Sequence, residues 1–252
     1  YINLYQATAN SVNTVFMEVN KHLGAANLAK IAHQAGIEED IAEDTTYNIL
    51  GINGITVWDL AQGHSTIAND GVKNTLHIVD TVLTSDGSKE LYKTAQENQQ
   101  VFDANDCHLV QKAMQGTTTY GTAAGVSTRL GRQVAGKSGT ANDEKAASFV
   151  GYTPQLLNVW AIWNPAEDGS AQEVPSFAGY GVSSTGYPSH LFEEFMSLAL
   201  QNQEVLTFTE PTDNGKIGGP DGTWGTGAQK TETRQNQETP KAEENTEQTT
   251  PD

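Results

Sequence analysis

The chain has 252 residues, with 14 basic and 31 acidic side chains and a formal net charge of −17. Such an acidic chain lacks the basic face that phosphate neutralisation requires, which argues against nucleic acid binding. Its single cysteine, Cys107, excludes an intramolecular disulfide and a cysteine-rich zinc site. No stretch of consecutive apolar residues is close to the length of about 18 that a membrane-spanning helix needs.

Four segments carry helical signals. Apolar residues recur at helical spacing in each of them, and glycine stops follow the first three. The second segment also opens with a T-x-x-D capping box at Thr56. The predicted helices are 26–36, 56–71, 105–116 and 189–200.

Three short segments between the third and fourth helices are predicted as strands: 133–135, 146–151 and 156–163. The last is rich in β-branched and aromatic residues and stops at an Asn-Pro pair. Helices first, then adjacent strands with short connections, then a closing helix predict an α+β fold with helices packed on a mostly antiparallel sheet.

The composition changes near residue 207. From there to residue 252 the chain is dominated by Gly, Pro, Thr, Gln and Glu, and Trp224 is the only aromatic side chain after Phe208. A segment of this kind buries too little surface to offset its conformational entropy. We therefore expect a folded part at 1–206 and a disordered acidic tail at 207–252.

Two short motifs could carry chemistry. The first is Ser11-Val12-Asn13, at the entrance to a predicted helix, and the second is Lys137-Ser138-Gly139-Thr140, after the first predicted strand. Each is weak evidence alone, because a serine often caps a helix and a Gly-containing tetrapeptide often forms a turn. Their order and surrounding sequence make them more informative.

In this order, the two motifs resemble the second and third motifs of penicillin-binding proteins and serine β-lactamases. The chain is similar to the transpeptidase domain of bifunctional, class A penicillin-binding proteins over about residues 1–200. The resemblance rests on the segments ANSVNTVFMEV, ITVWDLAQGHSTIANDGV, MQGTTTYGTA and VAGKSGTANDEKAASFVGYTP. It implies a penicillin-binding, serine β-lactamase-like fold, with 1–206 as the C-terminal part of that domain.

The resemblance also implies roles for the first motif. Ser11 would pass a proton between the lysine beside the nucleophile and the leaving nitrogen. Asn13 would hold the acyl amide and orient the catalytic lysine, since an amide side chain both donates and accepts hydrogen bonds.

The second motif would bind the substrate. Lys137 would place a positive charge near the substrate carboxylate and support the proton-transfer network. Ser138 and Thr140 would offer their hydroxyls to that carboxylate, and the Thr140 N–H would form half of an oxyanion hole. Gly139, without a Cβ, would let the strand approach the peptide closely.

The family's first motif, S-x-x-K, is absent: no serine in the chain is followed three residues later by lysine. The chain begins with Tyr1, only ten residues before Ser11. The resemblance therefore implies an N-terminally truncated domain. The nucleophile, a glycosyltransferase domain and a membrane anchor would all lie upstream, and the chain as given would not perform serine acylation.

The implied activity is peptidoglycan cross-linking by serine acyl transfer. The donor would be a stem peptide ending in D-Ala-D-Ala, the acceptor an amine on a neighbouring stem, and β-lactams would be inhibitors. The site would lie at the extracytoplasmic face of a bacterial cell membrane, anchored only through the upstream segment, with no metal or organic cofactor and no nucleic acid partner. Two alternatives remain: a hydrolytic relative such as a D,D-carboxypeptidase or β-lactamase, and a non-catalytic wall-binding module.

A geometric expectation follows for the two motifs. If they form one site, the Ser11 hydroxyl and the Lys137 ammonium should lie about 3 Å apart, or about 5 Å through a water. Arg129 and Arg132 precede the second motif and could steady an acidic substrate, but a surface role is favoured for both.

Overall fold

The computed structural model describes residues 2–177, 179–182 and 186–212. The helices are Leu4–Ala9 (α1), Asn13–Leu23 (α2), Ala25–Ala35 (α3), Val57–Ala68 (α4), Ala104–Thr119 (α5), Val126–Leu130 (α6) and Tyr187–Ala199 (α7), with 3₁₀ turns at Thr46–Leu50 and Asn142–Glu144. The strands are Val72–Asn74 (β1), Thr81–Leu83 (β2), Glu90–Lys93 (β3), Asn98–Gln100 (β4), Ala135–Thr140 (β5), Ala146–Tyr152 (β6), Leu157–Pro165 (β7) and Ala171–Gln172 (β8).

The four predicted helices correspond to α3, α4, α5 and α7, and their ends follow local rules. Helix α3 ends at Gly36, in the left-handed region with φ of 103°. Helix α4 begins after Thr56, whose hydroxyl oxygen accepts the Asp59 N–H at 3.1 Å. Helix α5 begins at Ala104, because the Asp103 carboxylate caps its first turn.

The main sheet is antiparallel, with strand order β5-β6-β7-β8. This confirms the predicted α+β architecture of helices packed on an antiparallel sheet. The strand predicted at 133–135 is wrong in its bounds, because β5 runs over Ala135–Thr140 and so contains the Lys137 motif itself. Lys, Ser and Gly have low strand propensity, but six consecutive residues of β5 pair with β6, and this pairing decides the structure.

Helices cover both faces of the sheet. One face packs on α7 through Val134, Phe149, Phe192 and Met196, and the Phe149 and Phe192 rings meet edge to face at 5.0 Å. The other face carries a second apolar cluster of Met114, Ala135, Tyr152 and Phe208, against which Ala68 of α4 packs. These layers hold β5 in place between α5 and the neighbouring strand β6.

Residues 72–100 form two antiparallel pairs, β1 with β4 and β2 with β3, which the sequence analysis did not predict. Each of these strands is only three or four residues long, and no residue of β2, β3 or β4 is buried. Without a buried face, such strands show no alternation of apolar and polar residues.

The chain after α7 stays attached to the domain beyond the expected boundary at 207. Phe208 is only 9% exposed, its ring lies 5.8 Å from the Tyr152 ring, and its N–H donates to the Gln133 side chain at 2.8 Å. Further on, Glu210 pairs with Lys112 at 2.8 Å.

The last described residue, Thr212, exchanges two hydrogen bonds with Asn105, of 2.7 and 3.1 Å. The packed part therefore reaches at least residue 212, because one large aromatic side chain and its polar neighbours anchor the segment. The rest of the predicted tail, 213–252 with Trp224, lies outside the described residues.

Candidate active site

Ser11 lies in the turn that joins α1 to α2. The Ser11 N–H donates to the Thr8 carbonyl at 3.2 Å, and the Val12 N–H donates to the Ala7 carbonyl at 3.0 Å. This pair of bonds is the Schellman motif, which places one residue in the left-handed conformation. That residue is Ser11, with φ of 53°, at a position where glycine is normally preferred.

Lys137 reaches this turn from strand β5. Its ammonium donates to the Ser11 hydroxyl at 2.9 Å and to the Ser138 carbonyl at 2.7 Å. The two motifs, 126 residues apart in the chain, thus meet in direct hydrogen-bond contact. The distance lies within the range that the sequence predicted.

The other predicted site residues surround this contact to different degrees. Asn13 is the first residue of α2, and its side chain is exposed. Thr140 is exposed at the end of β5. Ser138 is buried, and its hydroxyl is hydrogen-bonded to the Thr122 hydroxyl at 2.7 Å.

Gly139 has a structural reason to be glycine within the sheet. It pairs with Ser148 of β6, and a Cβ at residue 139 would lie 2.7 Å from the Ser148 hydroxyl oxygen. The missing Cβ at Gly139 therefore leaves room for the Ser148 side chain of the neighbouring strand.

The charge on Lys137 is held in a partly desolvated position. Burial lowers the pKa of the Lys137 ammonium from 10.5 to about 8. A lysine amine with this pKa exchanges protons more readily near neutral pH than a surface lysine does.

His64 is a neighbour of this lysine that the sequence analysis did not single out. It precedes Ala68 by one helical turn of α4, and Ala68 packs against the apolar cluster that includes Ala135 of β5. Lys137 is two residues beyond Ala135, on the same face of β5. His64 therefore faces the part of the sheet that carries Lys137.

His64 is partly buried in this position, and its Nδ1 atom is screened from solvent. Its Nδ1 has no hydrogen-bond partner among the described residues. Burial and, secondly, the charge of Lys137 lower the pKa of His64 from 6.5 to about 4, so the ring is neutral at pH 7. No sequence signal identifies it, since one histidine in an apolar helix is compatible with ordinary packing.

The two arginines do not point to the site. Arg129 forms a bidentate ion pair with Glu193 of α7. Arg132 donates to the carbonyls of Leu200, Gln203 and Glu204, where α7 ends. Both arginines therefore fasten α7 to the domain, in agreement with the surface role favoured for them.

Within the described part of the chain, no three His, Cys, Asp or Glu side chains cluster closely enough to hold a metal ion. In the same residues, no helix has the length and apolar character needed to cross a bilayer.

The fold and this contact between a helix turn and a sheet edge agree with a comparison to known families. Residues 1–181 match the model of the penicillin binding protein transpeptidase domain. The chain belongs to this family, which confirms the resemblance seen in the sequence.

Curated relatives give the same result. The chain is 30% identical over 228 residues to penicillin-binding protein 1A of Neisseria flavescens, covering 86% of the chain and 27% of the relative. It is 29% identical over 238 residues to penicillin-binding protein 1A of Mycolicibacterium smegmatis, covering 86% and 30%. The chain thus spans less than a third of the length of these relatives.

Solved structures resemble the model as well. The penicillin-binding protein PonA1 of Mycobacterium tuberculosis matches with a TM-score of 0.67 and 27% identity, over 84% of this chain and 60% of that one. Penicillin-binding protein 1A of Haemophilus influenzae matches with a TM-score of 0.69 and 16% identity, over 83% and 36%. The second likeness concerns the fold alone.

Proposed function

We propose that this chain forms part of a peptidoglycan D,D-transpeptidase that joins stem peptides by serine acyl transfer. The observation that carries the proposal is the 2.9 Å contact between the Lys137 ammonium and the Ser11 hydroxyl. A hydroxyl held by an amine of lowered pKa is suited to passing a proton. It occurs in a chain of the transpeptidase family, on the two motifs whose resemblance predicted it.

In the proposed reaction, a serine from an S-x-x-K segment attacks the carbonyl of the penultimate D-Ala. The peptide bond to the last D-Ala then breaks. The Ser11 hydroxyl would relay the serine's proton to the departing amine, and Lys137 would keep this hydroxyl in place. An amine of a second stem peptide would then take the acyl group and restore the serine.

The strand β5 would bind the donor peptide. We propose that the exposed residue Thr140 and the Lys137 ammonium, both supplied by β5, receive the terminal carboxylate. Ser138 would contribute differently from the sequence expectation, because its hydroxyl is buried and paired with Thr122. Asn13, exposed at the start of α2, would contact the acyl amide.

The wider context of the proposal comes from the relatives. We propose peptidoglycan stem peptides as substrates, β-lactams as inhibitors that mimic the donor, and the extracytoplasmic face of the bacterial cell membrane as the location. These assignments rest on family membership and on relatives named penicillin-binding protein 1A.

The test is Lys137→Ala in a protein that contains this chain together with an S-x-x-K segment. The rate of acylation by a fluorescent penicillin should fall by about 100-fold or more, since proton-transfer groups contribute on this scale. The matched control is Lys89→Ala, at an exposed position of the β2–β3 hairpin, which should leave the rate unchanged. Equal rates for Lys137→Ala and the parent would contradict the proposed role of the Lys137–Ser11 contact, and a parent that is not acylated would favour a non-catalytic module.

A further inference from the structure

Thr122 lies in the turn between α5 and α6 and is hydrogen-bonded both to the end of α1, just before Ser11, and to the Lys137 motif on β5. Its N–H donates to the carbonyl of Ala9, two residues before Ser11, at 2.9 Å. Its hydroxyl is hydrogen-bonded to that of Ser138, the residue after Lys137, at 2.7 Å. One side chain and its own backbone therefore join the Ser11 turn to strand β5.

These bonds close a ring with the reactive pair. The Lys137 ammonium donates one hydrogen bond to the Ser138 carbonyl at 2.7 Å and another to the Ser11 hydroxyl at 2.9 Å. The path of hydrogen bonds runs from Ser11 to Lys137, then to Ser138, Thr122 and Ala9. The backbone from Ala9 to Ser11 closes it. A displacement of β5 relative to the helix turn would have to break at least one of these links.

The turn around Thr122 is itself held tightly. A Cβ at Gly121 would lie 2.1 Å from the Ala9 carbonyl oxygen, so the two backbones touch here. On the other side, Ala123 is 2% exposed within the α7-facing core, and its N–H donates to the Thr117 carbonyl at 2.9 Å. Thr122 is thus fixed from both sides and can act as a rigid link.

We propose that Thr122 is a positioning residue: its hydroxyl, through Ser138, holds the Lys137 ammonium at the Ser11 hydroxyl. The catalytic meaning of this role rests on the proposed function, but the contact itself can be tested without activity. Valine at position 122 would retain the shape and the N–H bond to Ala9 and lose only the hydroxyl. Serine would retain the hydroxyl.

The ionisation of Lys137 reports on this contact. Burial keeps the pKa of Lys137 at about 8, so a loosened link that admits water should raise it. The experiment uses the full 252-residue chain with ¹³C-labelled lysine, and NMR follows the titration of each lysine side chain. Lys137→Arg identifies the Lys137 signal. His64, the titratable neighbour on α4, has a pKa of about 4 and is neutral throughout this titration.

We expect Thr122→Val to raise the pKa of Lys137 to about 9, while Thr122→Ser leaves it close to the parent value. The matched control is Thr119→Val, which makes the same chemical change at an exposed residue whose hydroxyl bonds only to the Gln115 carbonyl in the described structure. Thr119→Val should leave the pKa of Lys137 unchanged. Thermal melting by circular dichroism checks that each variant is folded.

Ser138→Ala breaks the same link from its other end and serves if Thr122→Val does not fold. It should raise the pKa of Lys137 to a similar extent, and the double variant should add little. A folded Thr122→Val or Ser138→Ala with the parent pKa for Lys137 would overturn the inference, as would an equal change in Thr119→Val. The proposed function fails on a different observation, namely acylation that is indifferent to Lys137→Ala.

Discussion

At the scale of single residues, Ser11 shows a conflict between local stability and the site. The Schellman turn between α1 and α2 needs a left-handed residue, and serine occupies it with φ of 53°. Side chains with a Cβ cost about 1 kcal/mol or more in this conformation. Ser11 is strained in this way and is hydrogen-bonded to Lys137. Its side chain therefore fits a role of the hydroxyl in the site better than a role in stabilising the turn.

Two substitutions at Ser11 separate these effects. Both Ser11→Gly and Ser11→Ala remove the hydroxyl, but only glycine relieves the left-handed conformation. We expect Ser11→Gly to be more stable than Ser11→Ala by about 1 kcal/mol in urea unfolding. Equal stability of the two variants would show that the turn carries no strain.

The lowered pKa of His64 leads to a second prediction, which concerns the pH dependence of folding stability. Its folded pKa of about 4 is below the ordinary 6.5, so between these values the unfolded chain binds a proton that the folded chain does not. Stability should therefore fall as the pH drops from about 7 to about 4, and His64 should account for about 3 kcal/mol of that loss.

The control for this prediction is His64→Gln, which cannot titrate. Urea unfolding at about pH 7 and about pH 4.5 should show a smaller loss of stability in the variant than in the parent. Carboxylates elsewhere affect both proteins alike, so the difference isolates His64. Parallel pH profiles would contradict the assignment.

At the scale of elements, the site depends on segments that carry none of its chemistry. The turn with Gly121 and Thr122 supports α1, and α7 covers the opposite face of the sheet. The segment after α7 closes the remaining cluster, because Phe208 packs beside Tyr152. The sheet strand with Lys137 is thus held by contacts from distant parts of the chain.

Phe208→Ala tests the role of the C-terminal segment. The side chain is 9% exposed, and truncating a buried phenylalanine costs about 3 kcal/mol or more. Val205→Ala is a matched control three residues earlier, where valine is 58% exposed, and should change stability by less than about 0.5 kcal/mol. Guanidinium unfolding measures both. A neutral Phe208→Ala would place the domain boundary near residue 207 after all.

At the scale of the whole molecule, the site lies where helices from the start of the chain meet a sheet from its second half. The chain spans about 27–30% of the relatives named penicillin-binding protein 1A. It supplies Ser11, Asn13 and the β5 motif, and it contains no S-x-x-K sequence.

This composition predicts the behaviour of the 252-residue chain with β-lactams. Because no serine is followed three residues later by lysine, incubation with a fluorescent penicillin should produce no covalent adduct in intact-mass spectrometry. Covalent capture needs a nucleophilic serine, and in the proposed mechanism Ser11, beside Lys137, relays a proton and does not attack the carbonyl. A stoichiometric adduct mapped to any serine of this chain would refute this prediction.

Much of the molecule follows from the sequence alone. Local signals, such as the Thr56 cap, the Gly36 stop and the apolar run of β7, predict most of the helices and two of the main strands. These signals work because caps, glycine stops and periodicity are determined by near neighbours in the chain. The two motifs and their surroundings also predicted the family and the Ser11–Lys137 pair.

Tertiary structure decided the rest. Strand β5 contains residues of low strand propensity and forms because β6 pairs with it. The attachment of Phe208, the partnership of Ser138 with Thr122, and the position of His64 all depend on residues far apart in sequence. Such contacts leave no periodic or local signature, because only the packing of the complete domain brings these side chains together.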